Sequence, residues 1–521
     1  MQSNAHTHNE PGEDPASGAT YLGRLFQALA ADSDRVVVVD ADAERSMTAA
    51  ALVDLITRLA EAFRLVGVTI GNTVAIIAPT TIEALAVRYG AGLRGCVTVY
   101  CPNPSELERL SEFLDRIAPD FVVVFPETAP ASDALASWDL LSVGPVHGVT
   151  DLLAIAATVE TPRHVHAPVQ DTDLCVLIAT GGTTGVSKAS RRDWLSYAEM
   201  VDLGPTSGRR QLICTPLAYV AQVIADAALI GGGQLILRNT FEPSQILHTI
   251  QDKRVTHLAL VEPLLVQLID SDRFASTDIS SLIAISHVGA DAAPSLRARL
   301  LERLGRPILV SLNGVSECGT VSMLTAPDYS LQQPERLETS GKVSPGYEVR
   351  IVDADGNDCG DGELGSLVVH GGALARGYSV TNNASGFLED GGFNTRDTGF
   401  RDTDGYLHVR GRQADMRTVA GHPVFPTDIQ QAFCALPEVL YAVAVPAPAP
   451  REGFGVAIVI RNTATATAAD LVGWVRVHAG EHLAPSAAVL VDEIPTTEQG
   501  KPNRRTLVHF IWGRDPSPLP E

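Results

Sequence analysis

A chain of 521 residues, 45% apolar and 19% charged, is long enough to bury several cores and to divide into more than one domain. Its formal net charge of −22 argues against nucleic acid or an anionic membrane surface as partner, so an anionic ligand must be held by local cations and backbone donors. Seven scattered cysteines, odd in number and without a C-x-x-C, argue against a disulfide framework or a zinc cluster. They fit reduced thiols in a cytoplasmic protein, and no apolar run is long enough to span a bilayer.

Residues 1–20 lack a hydrophobic segment and read as a disordered tail, not a signal peptide. Met47 to Leu65 places Leu52, Leu55, Ile56, Leu59 and Phe63 on one helical face. Strands and helices then alternate. Thr73–Ile77 is a predicted strand, Thr80–Arg94 a helix, Val97–Tyr100 a strand, Ser105–Ile117 a helix and Phe121–Phe125 a strand. This βαβαβ run predicts a parallel sheet covered by helices, and a second such run extends from Gln211 to about Val310. From about Gly346 short strands and turns dominate, including Tyr347–Val352 and Gly365–Val369, which suits a small antiparallel subdomain. A compact α+β segment of about a hundred residues follows Gly411-Arg412, and the proline-rich 513–521 reads as a second tail.

The densest chemistry lies in Thr180-Gly181-Gly182-Thr183-Thr184-Gly185-Val186-Ser187-Lys188, directly after an apolar run, Leu174–Ile178, that reads as a buried strand. Three glycines permit close backbone approach, consecutive N–H groups form an anion nest, threonine hydroxyls add donors and Lys188 adds a charge. Such a loop suits phosphate. It is not a Walker A loop, because no glycine precedes Lys188, and Gly182 and Gly185 lack the G-x-G step of a dinucleotide fingerprint. The plain alternative is a flexible surface loop.

The loop resembles the phosphate loop of the adenylate-forming superfamily, Thr-Ser-Gly-Thr-Thr-Gly-x-Pro-Lys-Gly, with Gly181, Ser187 and Ala189 as departures. That superfamily comprises acyl-CoA synthetases, luciferases and peptide-synthetase adenylation domains. Four further segments resemble its motifs in the same order. Asn313-Gly314-Val315-Ser316-Glu317 is similar to Tyr-Gly-x-Thr-Glu; the resemblance gives Glu317 to Mg²⁺, with Thr184 near the metal, and puts Asn313 where an aromatic ring would meet adenine. Asp397 resembles the aspartate that accepts from the ribose hydroxyls, and otherwise reads as a turn cap. Gly411-Arg412-Gln413-Ala414-Asp415 resembles the interdomain hinge, with Arg412 near ribose or phosphates and the pivot at Ala414 or Asp415. Thr418 and Pro423 stand where relatives carry a lysine and an arginine. Pro495-Thr496-Thr497-Glu498-Gln499-Gly500-Lys501-Pro502-Asn503-Arg504-Arg505 resembles the closing motif, whose lysine, here Lys501, binds the reacting carboxylate and α-phosphate.

Softer likenesses place Tyr219, His287, Gly289 and Ala290 at the acyl pocket, with Ala218 enlarging it; each also reads as ordinary core packing. Two other motifs are declined. Gly314-Val315-Ser316-Glu317-Cys318 lacks the closing glycine of a serine-hydrolase elbow, and Gly480 is poor company for the helix that His478-Ala479-Gly480-Glu481-His482 needs to bind zinc.

The resemblance implies an α/β fold: a large N-terminal domain, 21–411, of two βα-layered sheets plus a small β subdomain, then a small mobile α+β C-terminal domain, 412–512. It implies activation of a carboxylic acid with ATP and Mg²⁺, then transfer to coenzyme A. Thr180, Gly182, Thr183, Thr184, Gly185 and Lys188 would hold phosphates, and Asn313, Gly314, Ser316, Asp397 and Arg412 the rest of the nucleotide. The alternatives are a stand-alone ligase loading a carrier-protein thiol, and a ligand-binding relative that has lost catalysis.

Overall fold

A computed structural model of the chain describes residues 20–102, 107–129, 135–160, 167–180, 188–202, 206–289, 293–379 and 386–513. Among the described residues two large sheets carry the fold. One has seven strands in the order Thr150–Asp151, Leu140–Ser142, Phe121–Val124, Thr73–Ile77, Val97–Tyr100, Leu174–Ala179, Ala189–Asp193. Its pairings are parallel except the last, where Leu174–Ala179 and Ala189–Asp193 form a hairpin. The other sheet has nine strands: Lys342–Val343, Gly319–Leu324, Leu309–Val315, Ala284–Val288, His257–Leu260, Arg210–Ile213, Gln234–Leu237, Val36–Asp40 and Arg45–Thr48. The central six, from Leu309–Val315 to Val36–Asp40, run parallel.

Local chemistry sets the helix starts. Thr48 and Thr81 cap Ala49–Leu65 and Ile82–Leu93 by accepting from Ala51 and Ala84 N–H. Met47 therefore lies in a strand paired with Val38, outside the helix expected for it. Thr20 caps Tyr21–Ala30, and Gly513, left-handed at φ 66°, ends Arg504–Trp512, so both belong to helix termini and not to the tails. Arg88 and Asp226 pair at 2.7 Å, fully buried, and the Tyr89 and Tyr197 hydroxyls donate to Asp226 at 2.6 Å. This buried network ties the helix Ile82–Leu93 to Gln222–Ile230, one from each βα run.

A four-stranded antiparallel sheet, Tyr347–Val352, Gly365–Gly371, Phe393–Arg401 and Leu407–Arg412, forms the β subdomain with its own small core. The C-terminal region packs three strands, Val439–Pro446, Phe454–Ile460 and Ala487–Leu490, against the helices Pro426–Cys434 and Arg504–Trp512. Its Ile429, Phe433, Val439 and Val443 share one apolar core with Leu258, Ile285 and Leu300 of the large domain. All seven cysteines are unpaired; six are buried and Cys359 is partly exposed.

Candidate active site

The site forms where parallel strands end. Lys188, Tyr219, Val261, Gly289 and Glu317 all follow the carboxyl ends of such strands, or the turn just beyond, where open α/β sheets leave a crevice. The segment expected to bind phosphate starts and ends on paired residues: Ala179 pairs with Ala189, and Thr180 N–H donates to Lys188 C=O at 2.7 Å. Gly182, Thr183, Thr184 and Gly185 lie outside the described residues, as does Ala290.

The strand Leu309–Val315 runs five residues past the apolar segment Ile308–Val310 that announced it, so Asn313 and Gly314 are strand residues and not loop residues. Asn313 Nδ2 donates to Ser322 Oγ at 3.2 Å across the hairpin. Beyond the strand, Arg192 Nη2 donates to Ser316 C=O at 2.7 Å, Arg192 also reaches Ala373 C=O, and Ala375 N–H donates to Glu317 C=O at 2.8 Å. These bonds fix the backbone from which Glu317 projects. The Tyr378 hydroxyl donates to Glu317 Oε1 at 2.6 Å, and Lys188 Nζ lies 5.6 Å from the Tyr378 ring centre. Burial and the Glu317 charge push the Tyr378 phenol up, so it stays a donor.

Asp397 and Arg412 face each other in the antiparallel ladder, with Nε 3.0 Å from the carboxylate; Arg412 Nη1 also donates to Thr395 C=O at 2.7 Å. Two groups expected at the nucleotide are thus already an ion pair.

Lys501 sits on a tight turn. Thr497 N–H donates to Lys501 C=O at 2.7 Å and Gly500 N–H to Thr497 C=O at 2.8 Å. Gly500 has φ +78°, and a Cβ there would lie 2.6 Å from Leu264 and 2.7 Å from Val261, so the turn fits only as glycine. The partly buried Lys501 side chain lies over Gly289, where an added Cβ would lie 2.7 Å from Cε. Burial first, then Arg412, lowers its pKa, and Glu317 opposes the shift. Lys501, Arg412, Glu317 and Gly289, from four separate segments, therefore share one site.

His287 is placed differently from the expectation. Its ring shares the buried face of its strand with Ile285, and Nε2 is 3.0 Å from the Tyr329 hydroxyl, while burial and Arg297 hold its pKa well below the usual range. It is a neutral core histidine, because the alternation of a strand turns it from the face that Ser286 and Val288 share. Tyr219 lies in a π-helical turn, Leu217–Ala221, and its hydroxyl donates to Glu498. At the expected hinge, Ala414 C=O accepts from Arg417 at 2.9 Å and Asp415 pairs with Arg504. In the declined zinc motif, His478 stacks on Trp474 with ring centres 4.4 Å apart, and Gly480, at φ +112°, breaks the helix before Glu481.

The model for AMP-binding enzymes matches residues 25–379, and that for the AMP-binding enzyme C-terminal domain matches 428–501; the chain belongs to the AMP-binding enzyme family. It is an enzyme of the adenylate-forming acid–thiol ligase class. It is 27% identical to a medium/long-chain fatty-acid–CoA ligase of Mycobacterium tuberculosis, over 89% of this chain and 86% of that one. It is 28% identical to a feruloyl-CoA synthase of an Amycolatopsis species, over 88% and 92%. Among solved structures, the amide bond synthetase McbA of Marinactinospora thermotolerans is 25% identical, with a TM-score of 0.83 over 94% of this chain and 99% of that one.

Proposed function

We propose that the protein is an AMP-forming acyl-CoA synthetase. A carboxylate oxygen of the acid attacks the α-phosphorus of ATP, and pyrophosphate leaves. The sulfur of coenzyme A then attacks the acyl carbonyl, and AMP leaves. The observation that carries this reading is the Lys501 ammonium, held over Gly289 beside Arg412 and Glu317. Its environment is short of negative charge, and an acyl-phosphate centre supplies it.

In this reading Thr180, Lys188 and the intervening loop hold phosphates, Asp397 and Arg412 the ribose end, and Asn313, Gly314 and Ser316 the wall of the nucleotide pocket. Tyr219 and Gly289 border the acyl group. Glu317 fits a Mg²⁺ site: no group of three His, Cys, Asp or Glu that could hold a metal occurs among the described residues, so a cation there would rest on this carboxylate, phosphate oxygens and water, the habit of Mg²⁺. When bound, Mg²⁺ would neutralise phosphate charge. The proposed units are 21–411 and a mobile 412–512 pivoting at Ala414 or Asp415. No described helix is long and apolar enough to cross a membrane, and the seven free thiols favour the cytoplasm.

The departures at Thr418 and Pro423 bear on the second step, for which the alternative acceptor is a carrier-protein thiol. The test is acid-dependent pyrophosphate release with octanoate, decanoate, ferulate and indole-3-acetate, followed by addition of coenzyme A or a phosphopantetheinylated carrier. Release that requires an acid, with a coenzyme A thioester as product, is expected. No release with any acid sinks the catalytic reading; acylation of the carrier alone replaces the acceptor.

A further inference from the structure

We infer that Tyr219 and Glu498 form a latch that holds the turn carrying Lys501 in its adenylating position. The inference rests on the reading above, and it concerns two residues whose partnership no motif announces. The Tyr219 hydroxyl donates to Glu498 across 279 residues of chain. Each end is built for the contact. Tyr219 departs from helical backbone (φ −128°, ψ −136°) inside its π-helical turn, while Gln222–Ile230 continues as an ordinary α-helix. A π-turn of this kind re-aims one side chain. The ring is buried, so its hydroxyl needs a partner away from water.

At the other end, Glu498 belongs to the closed turn Thr496–Pro502, whose two bridging residues pair and whose Thr497, Gly500 and Lys501 backbones bond one another. Gly500 packs closely on Val261 and Leu264, and the backbone bonds within the turn hold its residues in one fixed arrangement. Fixing Glu498 therefore fixes Lys501 three residues on. The latch has something to oppose. Lys501 is drawn away from water and toward the like charge of Arg412, with Glu317 opposing that cost. A hydrogen bond to a carboxylate is among the stronger kinds and offsets part of that cost. Tyr219 also stands at the acyl end of the site, so the same bond joins the acid-binding wall to the catalytic turn.

The experiment uses the full-length enzyme and the variants Tyr219→Phe, Glu498→Ala, Glu498→Gln and the double Tyr219→Phe/Glu498→Ala. Hydrogen–deuterium exchange of peptides covering 495–503 is read first, because it needs no substrate. The latch predicts faster exchange there in Tyr219→Phe and Glu498→Ala, with the rest of the chain unchanged. ATP–pyrophosphate exchange is read next, with whichever of octanoate, decanoate, ferulate or indole-3-acetate drives the wild type fastest. The two single variants and the double are expected to lose the same factor in kcat, about tenfold to a hundredfold. The KM for the acid should stay put in Glu498→Ala, and Glu498→Gln, which still accepts a hydrogen bond, should recover most of the rate. Single losses that multiply in the double variant, or unchanged exchange across 495–503, overturn the latch. A wild type inactive with every acid overturns the adenylating reading instead, and the deuterium result still decides whether the bond holds the turn.

Discussion

Lys501 carries its charge in an unfavourable place. Its folded pKa lies below the 10.5 of an ordinary lysine, through burial and then Arg412. A cation so depressed weakens the fold while protonated, and that penalty fades as pH rises through the folded pKa toward 10.5. The rate runs the opposite way, because the charged form is the useful one. The alkaline limb of kcat/KM for adenylation is therefore expected at a lower pH than a free lysine would give, and a pH profile of pyrophosphate release checks it. Lys501→Ala should lose that limb and about 2.7–4 kcal/mol of transition-state stabilisation, roughly 10²–10³ in rate. Glu317 makes a different prediction. In Glu317→Gln the amide oxygen still accepts from Tyr378, so the backbone keeps its place, but a neutral ligand suits a hard cation poorly. More Mg²⁺ should be needed for half-maximal activity, and a Mg²⁺ titration that superimposes on wild type would remove Glu317 from the metal.

The hairpin of Leu309–Val315 and Gly319–Leu324 delivers Glu317, and Gly314 decides whether it closes. A Cβ at Gly314 would lie 1.8 Å from the Gly319 carbonyl oxygen. Gly314→Ala should therefore open the hairpin, cost roughly 1–3 kcal/mol or more, and displace Glu317. A lower thermal midpoint together with lost adenylation is the expected pair of readings; unchanged stability would mean the hairpin yields easily. This element also shows where legibility ended. Its apolar start announced a strand, but Asn313 and Gly314 are poor strand formers, and only pairing with Gly319–Leu324 carries the ladder through them. Met47 leaves its expected helix for a related reason: its apolar side chain suits a helix face, and the ladder to Val38 overrides that preference. The four valines Val36–Val39 form a strand whose partner, Gln234–Leu237, lies about two hundred residues on, so no local pattern gives its place in the sheet. Local threonine, glycine and lysine spacing made the Lys501 turn readable, whereas the residues between Thr180 and Lys188 lie outside the described ones. Tyr378, Arg192 and Glu498 were not readable, because each acts through a partner 61, 124 and 279 residues away.

At the scale of the whole molecule, the C-terminal region packs on the large domain through one continuous core, with Lys501 inside the site. Rotation of the small domain would have to break that packing before a thiol could enter. Thr418 and Pro423, which pair across a short hairpin, bring no cation to help, and Arg417 is engaged by the carbonyls of Ala414 and Met416. Acyl-adenylate is therefore expected to form faster than it is consumed. Rapid quench with labelled ATP should find it accumulating on the enzyme before thioester appears; a trace throughout turnover would show that another group serves the second step. The distribution of thiols offers a way to watch the rotation directly. With six sulfurs buried, a maleimide dye has one favoured anchor, Cys359 in the β subdomain. Burial and the nearby Asp353, Glu363 and Asp358 push its thiol up, so labelling calls for mildly alkaline buffer. Gly473, on a helix of the small domain with open space around its Cα, accepts a second cysteine. Labelled at both thiols, the Gly473→Cys enzyme becomes a fluorescence ruler, whose transfer efficiency would report whether the small domain opens during turnover.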